Sequence, residues 1–116
     1  MTLHFSGRIE TAYYTVTVAA SGTTSGHIRK PFSAIVGLVT PSALTSVQVS
    51  FEGSLDGTTF MPLYNASGEL LEATVGTSRC VSFSWDDFMA VDYFRIVTGS
   101  TEAAERSFQI VTRTFV

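Results

Sequence analysis

Apolar and polar residues alternate along most of the chain with a period of two, the pattern typical of half-buried β-strands. In T-A-Y-Y-T-V-T-V, residues 11–18, the even positions from Tyr14 to Val18 are apolar, while Tyr and Thr occupy the odd positions. The segment S-V-Q-V-S-F-E repeats this alternation. It predicts that Val47, Val49 and Phe51 face a core and that the residues between them face solvent.

Eight short strands are predicted in this way, at residues 11–18, 31–40, 46–52, 61–64, 70–75, 80–83, 93–98 and 107–116. Turn signals such as S-G-T-T-S-G, D-G and N-A-S-G separate them. S-W-D-D-F-M-A-V predicts one helical or 3₁₀ turn, capped by Ser84 or Asp86. Many short strands without intervening helices favour an all-β fold, an antiparallel β-sandwich that is jelly-roll-like with about eight strands.

The chain of 116 residues has the length of one domain. Within this single β-sandwich domain, residues 1–10 are expected to form an extended N-terminal arm and residues 19–30 a mobile loop. The inward positions of the strands give the predicted core: Val16, Val18, Ile35, Leu38, Val47, Val49, Phe51, Leu63, Val81, Phe83, Phe94, Ile96, Phe108 and Ile110.

The composition reduces the number of possible functions. Only 15% of residues are charged and about a quarter are Ser or Thr, so the surface is largely neutral and favours association. A net charge of −3 with a single lysine argues against nucleic-acid binding, which needs a basic surface. Cys80, the only cysteine, is predicted to be buried. No apolar run suggests export or membrane insertion, so we expect synthesis in the cytoplasm.

The acidic residues do not form a recognisable catalytic or metal site. Asp56-Gly57 suits a tight bend between strands, whereas a calcium loop would need several oxygen ligands at short spacing. Asp86 and Asp87 are neighbours whose side chains diverge, so they do not resemble a facing acid pair. Neither histidine has a partner at zinc-ligand spacing. We therefore expect no metal, no cofactor and no enzymatic activity, and a small β-sandwich enzyme is the weakest of the hypotheses.

Trp85 lies between Phe83 and Phe88 in the sequence. These rings suit an aromatic platform for a sugar, and they equally suit a cluster that closes one end of the core. In the first case the chain would be a carbohydrate-binding module of a host-recognition apparatus, with Trp85 and Asp56 as its sugar-binding residues.

Several segments resemble known families. The segment from Ser46 to Phe60, followed by Y-F-R-I, is similar to discoidin-like, galactose-binding-like jelly rolls. A closer resemblance joins F-E-G-S-L-D-G-T-T-F-M-P-L-Y-N-A-S-G-E, W-D-D-F, Y-F-R-I-V-T-G-S and R-S-F-Q-I-V-T-R-T, over about residues 46–114. Together these look like small β-sandwich virion proteins of tailed bacteriophages, which serve as capsid decoration or other virion components and have no catalytic residues.

This resemblance implies a capsid decoration protein located in the virion. Its partners would be the major capsid protein or another virion component, and copies of itself, with a trimer favoured by sites of local three-fold symmetry. The arm and the 19–30 loop would supply the assembly contacts, each with apolar or basic anchors: Leu3, Phe5 and Ile9 in the arm, and Ile28, Arg29 and Lys30 in the loop.

Overall fold

A computed structural model describes residues 9–30 and 33–115, which form nine β-strands. In chain order these are β1 Ile9–Val18, β2 Ile28–Arg29, β3 Ala34–Val39, β4 Gln48–Ser54, β5 Met61–Pro62, β6 Glu72–Thr74, β7 Cys80–Ser82, β8 Tyr93–Thr98 and β9 Arg106–Phe115. Each of the eight predicted strands is present close to its predicted position, and β2 is additional. The prediction of an all-β fold is therefore confirmed.

The strands form two antiparallel sheets. The first sheet has the order β1-β9-β3-β7. The second has the order β2-β8-β4. Strands β5 and β6 both pair with the edge of β4 that faces away from β8, at different positions along it. The pairing is nested along the chain, since the first strand pairs with the last and the second with the one before the last. Nested pairing across two sheets is the arrangement of a jelly roll, as predicted.

The inward faces of the two sheets enclose one apolar core. Its centre is a cluster of Phe51, Phe83, Phe88 and Phe94, whose contacting rings have centroids 5.0 to 5.4 Å apart. Aromatic pairs at such distances add about 0.5–1.5 kcal/mol each beyond the burial of their area. The cluster therefore joins β4 and β8 to the 83–91 connection.

Most of the predicted core residues are buried, and Leu63, Val81 and Phe83 are half-buried around them. The prediction for Val47 is wrong, because its side chain is 69% exposed. The backbone bends at Val47 before β4 begins, so the alternation of the strand does not extend to it. Ser46 is buried instead, and its hydroxyl oxygen accepts a hydrogen bond from the backbone N–H of Ser100 at 3.1 Å.

Two further predictions are corrected. Cys80 is exposed, because β7 is an edge strand and Val81, its neighbour, takes the half-buried position opposite Leu38. Residues 85–90 form two successive turns, each with a hydrogen bond to the oxygen three residues earlier, so the predicted short turn is present and only its predicted side-chain cap is not. In these turns the backbone oxygen of Ser84, and not its hydroxyl, accepts the N–H of Asp87 at 3.2 Å.

The 19–30 segment follows the outer edge of β8. The middle of the segment is bonded to the second half of β8: the N–H of Thr98 donates to the oxygen of Thr23 at 2.7 Å, and the N–H of Ser25 donates to the oxygen of Ile96 at 2.9 Å. Strand β2 continues this pairing, so the segment is an interrupted edge strand, and its mobility stays a prediction. Of the predicted arm, residues 1–8 lie outside the described residues, and residues 9 and 10 begin β1.

Candidate functional site on the outer face of the second sheet

Three rings and two guanidinium groups contact one another on the outer face of the second sheet. The ring centroid of His27 lies 5.3 Å from that of Phe60 and 5.8 Å from that of Tyr93. The guanidinium carbon of Arg95 lies 4.1 Å from the centroid of Phe60, and that of Arg29 lies 5.9 Å from the centroid of Tyr93. Both distances allow attraction between a cation and a ring face. We call these five residues the outer-face patch.

Strand alternation places most of the patch. In β8, Phe94 and Ile96 are buried in the core, so Tyr93 and Arg95 lie on the opposite face. Arg29 pairs with Tyr93 in the register of β2 and β8, which brings the two side chains to the same face. The two remaining residues, His27 and Phe60, come from the connections that precede β2 and β5.

The two arginines of the patch differ in their partners. Nε and Nη2 of Arg95 each lie 2.7 Å from Oε1 of Glu52, which stands opposite Arg95 on β4. No carboxylate of the described residues pairs with Arg29, and its side chain is exposed. A guanidinium presents a planar set of donors that matches a carboxylate or another planar anion. Arg29 is therefore the cation of the patch that is available to a partner.

The Asp56-Gly57 turn supports the patch from one side. Gly57 has φ of 80°, and a Cβ atom on it would lie 2.9 Å from Cε1 of Tyr93, so the ring lies directly against the turn. Oδ1 of Asp56 accepts the backbone N–H groups of Thr58 at 2.8 Å and Thr59 at 2.9 Å, and the hydroxyl of Ser54 at 2.8 Å.

These hydrogen bonds stabilise the charged form of Asp56. The N–H groups of Thr59 and Thr58, followed by the Ser54 hydroxyl, lower the pKa of the Asp56 carboxyl to about 2. The carboxylate is thus engaged by its own turn, and the interpretation of Asp56-Gly57 as a bend is confirmed.

The predicted anchors of the N-terminal arm are only partly described. Leu3 and Phe5 lie outside the described residues. Ile9 is the first residue of β1, where its backbone pairs with that of Phe115. Whether these three residues contact a partner stays a prediction.

The predicted anchors of the 19–30 loop have three different environments. Ile28 packs against the core, opposite Phe94. Arg29 belongs to the outer-face patch, as described above. Lys30 is only 3% exposed, and burial lowers the pKa of its ammonium group, although nearby Asp92 opposes that shift. Arg29 is thus the anchor that the fold presents to solvent.

Trp85 does not form an aromatic platform with its neighbours in sequence. Phe83 and Phe88 turn into the core cluster, whereas the Trp85 side chain is 65% exposed. Trp85 has no ring contact with any described residue. The two phenylalanines therefore close the core, and the Asp56 carboxylate, the other residue of the predicted sugar platform, is held within its turn.

Glu102 is a buried acidic residue for which the sequence shows no clear signal. Its carboxylate accepts the N–H groups of Thr45 at 2.9 Å and Ser46 at 3.0 Å, the hydroxyl of Ser46, and Nε of Arg106 at 3.0 Å. Burial raises the pKa of Glu102, but the hydrogen bonds of the Ser46 hydroxyl, the Thr45 N–H and Arg106 lower it more. Glu102 thereby ties the connection before β4 to the connection before β9, which is a structural role.

Two features are absent from the described ranges, 9–30 and 33–115. These ranges contain no cluster of three or more His, Cys, Asp or Glu residues that is arranged to hold a metal ion. They also contain no helix with the length and apolar character needed to cross a membrane.

No protein-family model and no curated protein matches the chain. Among solved structures, the chain is similar to the crystal structure of the SPBc2 prophage-derived protein YomS, with a TM-score of 0.63. The match covers 98% of this chain and 99% of that chain, at 9% sequence identity. The chain therefore has the fold of a phage-derived protein over almost its entire length.

Proposed function

We propose that the chain is a non-enzymatic structural protein of a bacteriophage virion, and specifically a capsid decoration protein. One observation carries this proposal: the fold matches that of a prophage-derived protein over 98% of this chain and 99% of that chain. The resemblance of residues 46–114 to small virion proteins supports the same role. The expected partner is the major capsid protein or another virion component.

The outer-face patch is the surface that we propose for this contact. Arginine and aromatic residues are enriched at protein interfaces, because they offer large contact areas with a polar group at one end. The rings of the patch are held against one another and against the 54–60 turn, so little side-chain freedom would be lost on binding. Arg29 would pair with a carboxylate on the partner.

Purified particles of the phage that encodes the chain provide the test. We expect mass spectrometry to detect the 12.5 kDa chain in washed particles. Particles without the chain would contradict the virion role.

A charge reversal then tests the patch. Arg29→Glu should greatly reduce the amount of protein bound to particles, because it would place a carboxylate against a carboxylate. Arg79→Glu makes the same change at another exposed arginine, outside the patch, and should bind like the wild type. Equal binding of both variants would show that the contact lies elsewhere on the surface.

The exposed Trp85 ring supports a second candidate function, that of a carbohydrate-binding module in a host-recognition apparatus. The face of an exposed indole can stack on the apolar face of a sugar. A glycan array separates this function from the first one. Micromolar binding that Trp85→Ala abolishes, and that Arg29→Glu leaves unchanged, would favour the carbohydrate-binding module.

A further inference from the structure

The outer edge of β1 is unusually open for a strand of its length. β1 has ten residues and lies at the edge of the first sheet, and all ten pair with β9 without a shift of register. Edge strands present free N–H and C=O groups, and proteins usually protect them with lysine, proline or bulges. The sequence I-E-T-A-Y-Y-T-V-T-V contains no lysine and no proline, and its only charged residue is Glu10.

The contacts at the end of β1 show which backbone groups face outward. The N–H of Gly26 donates to the oxygen of Thr17 at 3.3 Å, from the side of β1 that does not pair with β9. Because backbone groups alternate in direction along a strand, the N–H and C=O of Thr11, Tyr13 and Thr15 point the same way as those of Thr17. No described residue donates to or accepts from these six groups.

We propose that this edge pairs with the same edge of a second copy of the chain. The two β1 strands would run antiparallel about a two-fold axis at Tyr13, and the two four-stranded sheets would become one continuous sheet. In this register Tyr13 stands opposite Tyr13 of the second copy, and Thr11 stands opposite Thr15 of the second copy. All the outward groups of the three residues would then be paired.

The side chains of β1 fit this self-pairing. Residues that face each other across the axis are neutral, except for Glu10, which stands opposite Val16, so no like charges meet. Tyr13 is 65% exposed and lies at the axis, where two tyrosine rings would come into contact. A sequence that complements itself across a two-fold axis points to a second copy of the same chain as the occupant.

This contact belongs to the free protein and does not depend on a role in the virion. It is isologous, so it closes after two copies and gives a dimer. We therefore expect a dimer in place of the trimer that sites of local three-fold symmetry on a capsid would favour. Sedimentation equilibrium of the wild type should give twice the mass of the 12.5 kDa chain at micromolar concentrations.

Two double variants test the register. Thr11→Lys with Thr15→Lys places like charges opposite each other at two positions across the axis, whereas Thr11→Lys with Thr15→Glu places opposite charges there. Both side chains are exposed, so both variants should fold. We expect the first to weaken the dimer by about tenfold or more relative to the second.

A wild type that sediments as a monomer or a trimer would overturn the proposal. So would equal dissociation constants for the two double variants, because such a dimer would use another surface. The pair differs only at residue 15, so any effect of Thr11→Lys within one copy is the same in both.

Discussion

Two connections of this sandwich are each organised by one carboxylate, and they differ in burial. Asp56 lies in an exposed hairpin turn, where its oxygen accepts N–H groups from residues two and three positions ahead. Glu102 is fully buried and accepts hydrogen bonds from Thr45 and Ser46, more than fifty positions away in the chain. The exposed carboxylate shapes its own turn, and the buried one joins two distant connections.

Burial decides what each carboxylate contributes to stability. When an exposed group loses its hydrogen-bond partners, water can replace them, so the loss of stability is small. A buried carboxylate that loses its charge leaves several donors without an acceptor, and water cannot reach them. We therefore expect changes at Glu102 to affect the entire domain and changes at Asp56 to affect mainly the 54–60 turn.

The largest expected effect is that of Glu102→Gln. All four partners of the carboxylate are donors, so the amide nitrogen would bring a donor against another donor. Breaking a buried charged network of this kind typically costs about 3–5 kcal/mol. Urea unfolding should show this loss in the free energy of unfolding. Glu105→Gln, the same change at an exposed position, is the control and should unfold like the wild type.

Next in size is Gly57→Ala, which tests whether the exposed turn depends on its backbone more than on its carboxylate. Gly57 has a left-handed conformation, which costs about 1–2 kcal/mol for a residue with a side chain. The added Cβ would also meet the Tyr93 ring. Gly68→Ala is a matched control, since φ there is 81° and no atom lies within 4 Å of the added Cβ.

The difference between the two glycine variants therefore measures the contact with Tyr93. Gly57→Ala should be the less stable of the two in urea unfolding, and its outer-face patch should be disturbed. Equal losses of unfolding free energy in the two variants would mean that the Tyr93 ring moves aside at no cost in free energy.

Lowering the pH should distinguish the two carboxylates, because each stops stabilising the fold over a different pH range. Folding lowers the pKa of both, so each stabilises the fold above its ordinary pKa, and this contribution disappears as the pH falls. For Glu102 the loss should begin near its ordinary value of 4.5, and for Asp56 it should extend from 3.8 to about 2.

Unfolding free energies measured as a function of pH provide the check. The decline below about pH 4.5 should be shallower in Glu102→Gln than in the wild type, because the variant has no proton to bind there. Identical slopes for the two proteins would contradict the lowered pKa of Glu102.

The smallest expected effect is that of Asp56→Asn. The amide oxygen of asparagine can accept the same N–H groups of Thr58 and Thr59, so the turn should remain intact. Thermal unfolding should show a shift of the midpoint smaller than that of Gly57→Ala. A shift as large as that of Glu102→Gln would mean that the exposed carboxylate has a role beyond its own turn.

The difference between these two regions matches what could be predicted from the sequence. The Asp56 turn was predictable because its donors, acceptor and glycine are adjacent in the chain, and Asp-Gly is a strong local signal. T-E-A-A-E-R gives no such signal for Glu102, whose partners Thr45 and Ser46 are distant in sequence. The prediction that Val47 faces the core is wrong because of this long-range contact. Alternation alone does not show that Ser46 is buried against Glu102.

The outer-face patch was predictable in part. Alternation places Tyr93 and Arg95 opposite the buried Phe94 and Ile96, and it places Glu52 on the outer face of β4. His27 lies in a connection with no periodic pattern, so its contact with Phe60 and Tyr93 depends on the path of the folded chain.

The sequence by itself determined the all-β class, the positions of the strands and most of the buried residues, because these follow from interactions within a few residues of each other. Tertiary structure decided the nested strand order, the burial of Glu102 and Lys30, the assembly of the outer-face patch and the open edge of β1. Each of these joins residues that are far apart along the chain, and such pairings are fixed only when the two sheets close around a common core.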